Sequence, residues 1–102
     1  MSIVELRRYV AVPGRMDDIV ARFRDHTLHI FPDHGIHVAA IWRDLDNPDV
    51  LIYTVTFDDR IALDAAWTSF VADPRWIAAR DASEANGPIV ERIERTFLQP
   101  VA

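Results

Sequence analysis

The sequence predicts an α+β domain in which four strands and two helices follow one another in the order β-α-β-β-α-β. Three observations support this prediction: β-branched and aromatic runs of strand length, apolar residues at helical spacing between them, and turns marked by Pro, Gly and Asp. The chain of 102 residues has the size of one domain, and half of its residues are apolar, which is enough for a core. We therefore predict a single domain over residues 1–102.

The first strand and the first helix lie in the N-terminal third of the sequence. Residues 3–11 predict a strand, which a Pro-Gly pair ends. Apolar residues then recur at helical spacing from about residue 15, with Arg22 among the charged side chains expected to face water. Pro32 lacks a backbone N–H and crowds the preceding turn, so the helix should end or kink near Phe31.

Three strands and a divided helix follow in the rest of the chain. Residues 36–43 and 50–57 predict two strands, and the polar turn between them makes the strands antiparallel neighbours. The Asp pair at 58–59 offers an N-cap for the second helix, and the Asp-Pro pair at 73–74 restarts that helix after an interruption. Residues 89–98 predict the last strand.

This order of elements is the ferredoxin-like arrangement, a four-stranded antiparallel sheet with both helices on one face. The other face of the sheet is then left bare, and a large bare apolar face is rarely exposed to water. We therefore predict a homodimer that buries this face.

The first strand has a polar face and a mainly aliphatic face. Glu5, Arg7 and Tyr9 share the first, and Arg8 interrupts the second. Because both faces contain an arginine, the alternation leaves open which one points toward the helices. A polar face of this kind is either open to water or lines a polar pocket.

The composition excludes several kinds of chemistry. The chain has no Cys, and all eleven of its basic residues are Arg, so thiolate nucleophiles, Cys-based metal sites and Schiff-base lysines are absent. The net charge of −5 argues against nucleic-acid and anionic-membrane partners. No apolar run approaches the about 20 residues that span a bilayer. We predict a soluble, cytoplasmic protein.

An ordered set of residues resembles the NIPSNAP family over nearly the whole chain. The set is Glu5-Leu6-Arg7-x-Tyr9, Pro13-Gly14, Trp42, Tyr53, Arg60, Trp67 and Asp73-Pro74-x-Trp76. The resemblance implies a dimeric α+β barrel, in which two ferredoxin-like sheets pack face to face with the helices outside. Relatives of that barrel include cofactor-free monooxygenases, lactone isomerases and heme-binding enzymes, usually with a pocket between sheet and helices.

The sequence departs from the family pattern at two positions. Ala40 stands where family members often have glycine, two residues before Trp42. Pro32 interrupts a helix end that the resemblance leads us to expect as continuous. Both departures could reshape the mouth of a pocket, and neither threatens the fold.

The candidate catalytic residues are Arg7, Tyr9, His34 and Tyr53. Arg7 would hold the charge of a substrate, and one of the other three would move a proton. A structural alternative for Arg7 is an ion pair within the sheet, with an acidic residue of the last strand at position 91 or 94.

The candidate ligand-binding residues are Glu5, Trp42, Trp67 and Trp76. The tryptophans could form the wall of a pocket for an aromatic ligand. Ordinary core packing is the stronger interpretation for Trp67, which lies in the middle of the apolar stripe of the second helix.

Four histidines, at positions 26, 29, 34 and 37, lie close together in the sequence. His26 and His29 have a spacing that metal ligands on one helix can use, but the chain offers no set of three or four ligands at fixed spacing. We predict no metal site and no cofactor.

The sequence favours a protein that binds a small, partly apolar ligand between sheet and helices, with cofactor-free oxygenation, isomerisation or lyase chemistry as its reaction class. The alternative is a structural or interaction dimer without catalysis. A cavity of ~300 Å³ or more would support the ligand. Filling of this space by Phe23, Trp67 and Phe70 would support the alternative.

Overall fold

The first strand lies in the interior of a four-stranded antiparallel sheet, as the computed structural model of residues 2–102 shows. The sheet has the order β2-β3-β1-β4. Its strands are β1 (Ile3–Ala11), β2 (His37–Arg43), β3 (Val50–Phe57) and β4 (Val90–Leu98). The predicted ferredoxin-like α+β fold is confirmed, and β2 and β4 each begin one residue later than expected.

The first helical region changes its hydrogen-bonding pattern along its length. It consists of α1 (Met16–Arg22), a π-helical segment (Phe23–Thr27), α2 (Leu28–Ile30) and a 3₁₀ helix (Phe31–His34). The break predicted near Phe31 is confirmed, since the α-helix gives way to the 3₁₀ helix there. The π-helical segment has no signal in the apolar spacing, and such segments often occur at functional sites.

The second helical region has the two predicted parts, α3 (Arg60–Val71) and α4 (Pro74–Ser83). A carboxylate begins each part: Asp59 accepts a hydrogen bond from the N–H of Ala62, and Asp73 accepts one from the N–H of Arg75, both at 2.8 Å. None of the helices within residues 2–102 is long and apolar enough to cross a bilayer.

The polar face of β1 points toward the helices. Glu5, Arg7 and Tyr9 are buried there, whereas Leu6 and Arg8 on the opposite face are only partly buried. The sequence left this choice open, and the structure shows that a carboxylate, a guanidinium and a phenol lie between sheet and helices. The core around them is mainly aromatic and aliphatic; its fully buried members include Ile19, Phe31, Tyr53, Val55 and Leu63.

Candidate functional site

The carboxylate of Glu5 is the centre of a buried hydrogen-bond network. Its oxygens accept from Nη1 of Arg7 at 2.9 Å, from Nε of Arg95 at 2.7 Å and from Nε1 of Trp67 at 2.7 Å. These donors belong to β1, β4 and α3, and the Glu5 side chain is fully buried. One carboxylate therefore joins three elements and is shared by two arginines.

The structural alternative, an ion pair of Arg7 within the sheet, is present, but its partner is Glu5 of the same strand and not Glu91 or Glu94. The register places Glu94 opposite Arg8, and Nη1 of Arg8 donates to Glu94 at 2.7 Å on the other face of the sheet. The β4 residue opposite Arg7 is Arg95, and both arginines donate to the same carboxylate.

Arg7 connects this carboxylate to two phenols. Its Nε donates to Oη of Tyr53 at 2.8 Å, and the hydroxyls of Tyr53 and Tyr9 lie 3.2 Å apart. The Arg7 guanidinium also lies 4.1 Å from the centre of the Trp67 ring, a cation–π distance. Arg7 is therefore fixed by its hydrogen bonds at its edge and by an aromatic ring at its face.

Burial and hydrogen bonding set the charge of each group. Burial alone would raise the pKa of Glu5, but the donors Arg95, Arg7 and Trp67 outweigh it and lower that pKa. Burial alone would lower the pKa of Arg7. Its tyrosine neighbours and Glu5 outweigh burial, so the pKa of Arg7 is raised. Burial, followed by the neighbouring Tyr9, raises the pKa of Tyr53. At neutral pH the network holds a carboxylate, a guanidinium and a protonated Tyr53.

A cavity of about 150 Å³, which we call the aromatic cavity, lies between β1 and the helices. Arg7 and Arg22 are the charged residues of its lining. Val71 and Ile93 also line it and are 56% and 41% exposed, so they mark where the cavity meets the surface. Its aromatic walls are Tyr9, Phe23, Phe31, Trp67, Phe70 and Trp76.

The structure brings six of the eight sequence candidates to one place. Four of them line the aromatic cavity: Arg7, Tyr9, Trp67 and Trp76. Glu5 and Tyr53 do not line it but hydrogen-bond to Arg7, so they lie one layer behind and hold its guanidinium.

Trp42 lies apart from this group. It is in the edge strand β2, opposite Ile52, on the sheet face that points away from the helices, and it is 52% exposed. A tryptophan in this place cannot contact a ligand in the aromatic cavity, but it does enlarge the apolar area of the open sheet face.

His34 also lies outside the aromatic cavity. Its Nδ1 hydrogen-bonds to Oγ of Ser69, and its Nε2 lies 2.7 Å from Oδ2 of Asp73. A series of Ser, His and Asp is typical of nucleophilic catalysis, but Asp73 also caps α4 and accepts from Nε and Nη2 of Arg75. Hydrogen bonds from Arg75 and His34 hold the pKa of Asp73 below its usual range. The series joins the 3₁₀ helix to α3 and α4.

Arg22 is a charged cavity residue that the sequence interpretation missed. It was expected to face water, yet it is 6% exposed and lines the aromatic cavity. Its position three residues after the buried Ile19 placed it within reach of the apolar stripe, so helical spacing was the available signal. The charge of the side chain instead favoured a position in water.

A family model described as NIPSNAP matches residues 4–102 of this chain. The chain is also similar to several solved structures. One is an uncharacterized NIPSNAP-like domain protein from Burkholderia xenovorans, with a TM-score of 0.86 and 17% identity over 99% of this chain and 86% of that one. Another is a NIPSNAP family protein from Agrobacterium tumefaciens, with a TM-score of 0.86 and 19% identity; the alignment covers 99% of this chain and 94% of that one.

A more distant structural neighbour is SnoaB, a cofactor-independent oxygenase from Streptomyces nogalater. It has a TM-score of 0.66 and 15% identity, and the alignment covers 99% of this chain and 94% of SnoaB. No curated protein sequence matches the chain. Structural similarity at such low sequence identity establishes the fold alone. A function must therefore be inferred from the side chains of the site.

Glu5→Gln should destabilise the protein strongly, because it leaves the buried Arg7 without its carboxylate. We expect a loss of about 3 kcal/mol in the free energy of unfolding at neutral pH, the lower end for a broken buried pair because the amide oxygen still accepts a hydrogen bond. Urea unfolding followed by circular dichroism measures this. Asp17→Asn, which removes the exposed partner of Arg43, is the control and should cost much less.

The difference in stability between wild type and Glu5→Gln should depend on pH. Because folding lowers the pKa of Glu5, its charged form stabilises the fold above the unfolded-state pKa, and this contribution is lost as the pH falls through the folded-state pKa. The difference should therefore be constant near neutrality and narrow in acid. Unfolding curves for both proteins at a series of pH values test this, and a constant difference down to the acid limit of folding would contradict it.

Proposed function

We propose that this chain, which belongs to the NIPSNAP family, binds a small, partly apolar ligand in the aromatic cavity. The observation that carries the proposal is the placement of Arg7 and Tyr9 in the wall of a cavity that is otherwise mainly aromatic. Small-molecule sites commonly combine an apolar lining with a few fixed polar groups. Glu5 and Tyr53 fix Arg7 from behind, so the polar groups are preorganised before any ligand arrives.

The volume of the cavity limits the size of this ligand. Its 150 Å³ is below the ~300 Å³ at which pockets for drug-sized molecules begin. An apolar cavity of about 150 Å³ holds a molecule the size of benzene. The proposed ligand is therefore built around a single ring or a short branched chain.

The same groups support a proton-transfer reaction on such a ligand. Arg7 would stabilise a negative charge that develops on a ligand oxygen, and Tyr9 would give or take the proton. Isomerisation needs nothing further, since the proton leaves one atom of the substrate and returns to another. Cofactor-free oxygenation would also need molecular oxygen, and the fold shared with a cofactor-independent oxygenase supports keeping this reaction class.

We also propose that two copies form a dimeric α+β barrel through the open sheet face. In the middle of that face, Leu6 lies between Thr54 of β3 and Thr96 of β4, and Trp42 adds an exposed ring at the β2 edge. A face of this composition is more readily buried against a second sheet than left in water.

The cytoplasmic location stays a prediction from the sequence.

A non-catalytic structural or interaction dimer is the second candidate function. It is favoured by the same cavity volume, because Phe23, Trp67 and Phe70 fill much of the space between sheet and helices. In this case the Glu5 network would serve only to hold the sheet against α3.

Native mass spectrometry of the protein purified from its own host distinguishes the two functions. Ligand binding predicts a dimer that carries one small molecule per subunit, released by denaturation. Val71→Trp, which narrows the mouth of the cavity, should lose most of this molecule, whereas Ile61→Trp on the exposed side of α3 should retain it. An empty wild-type dimer would favour the structural alternative.

Leu6→Arg should convert the dimer into a monomer, because it places a charge in the middle of the proposed interface. Sedimentation velocity at micromolar concentration measures this, and circular dichroism checks that the fold is kept. Ile61→Arg adds the same charge on α3, where the side chain is 80% exposed, and should leave the dimer intact. A dimer that survives Leu6→Arg would place the interface elsewhere.

A further inference from the structure

Arg22 carries a buried donor that nothing in the fold satisfies. The residue is 6% exposed, and its Nε is a buried polar atom without a hydrogen-bond partner among the described residues. Its Nη1 donates to Oγ of Ser83 at 3.1 Å, and its guanidinium lies 4.8 Å from the centre of the Trp76 ring. Most buried polar side-chain atoms have a hydrogen-bond partner, so an orphaned N–H in a residue that lines a cavity indicates a missing acceptor.

The charges around the aromatic cavity also favour an anion. Arg7 and Arg22 both line the cavity, and Glu5, the buried carboxylate nearest to them, is shared between Arg7 and Arg95. Arg22 forms no ion pair with any residue of the described part of the chain. Burial lowers the pKa of Arg22, and of the charged residues near it Glu84 raises that pKa while Arg80 lowers it. The cavity lining therefore carries an excess of positive charge that a bound anion would neutralise.

We propose that the aromatic cavity selects a carboxylate, and that Nε of Arg22 donates to it. This inference rests on the proposed ligand-binding function and names its substrate class. A guanidinium binds a carboxylate side-on through Nε and one terminal nitrogen, and in Arg22 the other terminal nitrogen, Nη1, is already turned to Ser83. The edge of Arg22 that contains the orphaned Nε is thus the edge suited to this pairing.

The rest of the ligand must fit between aromatic rings. Phe23, Phe31 and Phe70 line the cavity with Trp67, and the volume of about 150 Å³ leaves room for one ring. A planar carboxylic acid of benzoate size satisfies both the apolar walls and the guanidinium edge. A phosphate ester of the same ring is larger and more highly charged, and it would be more costly to desolvate in so small a space.

Binding of benzoate and of benzamide, its neutral isostere, tests the inference. Isothermal titration of the wild-type protein should show benzoate binding at least about tenfold more tightly than benzamide, because only the carboxylate gains a charge-assisted hydrogen bond. Arg22→Gln should remove this preference by weakening benzoate about tenfold or more, with benzamide little changed. Arg24→Gln, a neighbouring position with an exposed side chain, is the matched control and should keep the preference.

The outcomes separate this inference from the function on which it rests. Equal binding of the two probes to wild type would overturn the carboxylate proposal and leave ligand binding intact. A preference that survives Arg22→Gln would overturn the assignment of the carboxylate to Arg22, because Arg7 is the other guanidinium residue of the lining. Binding of neither probe up to millimolar concentration, together with an empty protein in native mass spectrometry, would overturn both. The wild-type comparison decides the question even if Arg22→Gln does not fold.

Discussion

The buried carboxylate of Glu5 is the interaction on which the interior of this protein depends. It lies on an interior strand and accepts hydrogen bonds from β1, β4 and α3, so the position of α3 over the sheet is fixed by a charge as well as by packing. A buried charge is costly unless every oxygen is satisfied. The donors Arg7, Arg95 and Trp67 meet this requirement, and two of them, Arg7 and Trp67, also line the aromatic cavity.

The hydrogen-bond network around Glu5 holds the polar groups of the cavity lining in fixed positions. Arg7 cannot turn away from the cavity without losing Glu5, Tyr53 and the face of Trp67. Tyr9, whose hydroxyl meets that of Tyr53, is held by the same set of contacts. Preorganised donors of this kind stabilise charge in a ligand without reorganisation at the moment of binding. The residues that hold the interior together are therefore the same residues to which we assign the proposed ligand binding.

The sequence was sufficient for the fold and for the grouping of Glu5, Arg7 and Tyr9, because strand alternation and helical spacing are local properties. It was not sufficient to choose the inward face of β1, since Arg7 and Arg8 put an arginine on each face. Arg22 was assigned to water on its charge, although its spacing from Ile19 allowed burial. The separation of Trp42 and His34 from the cavity depends on strand register and on packing between distant elements, which no local pattern encodes.

Arg7 and Arg22 show why a function can be sought in this cavity despite its small volume. Both are buried arginines of one aromatic lining, but Nε of Arg7 has an acceptor, whereas Nε of Arg22 has none among the described residues. If the cavity served packing alone, an apolar side chain of similar length at position 22 would fill it without leaving an unpaired donor. The unpaired Nε–H of Arg22 is explained if a bound molecule supplies its acceptor. Because Arg22 is positively charged, that molecule should be an anion.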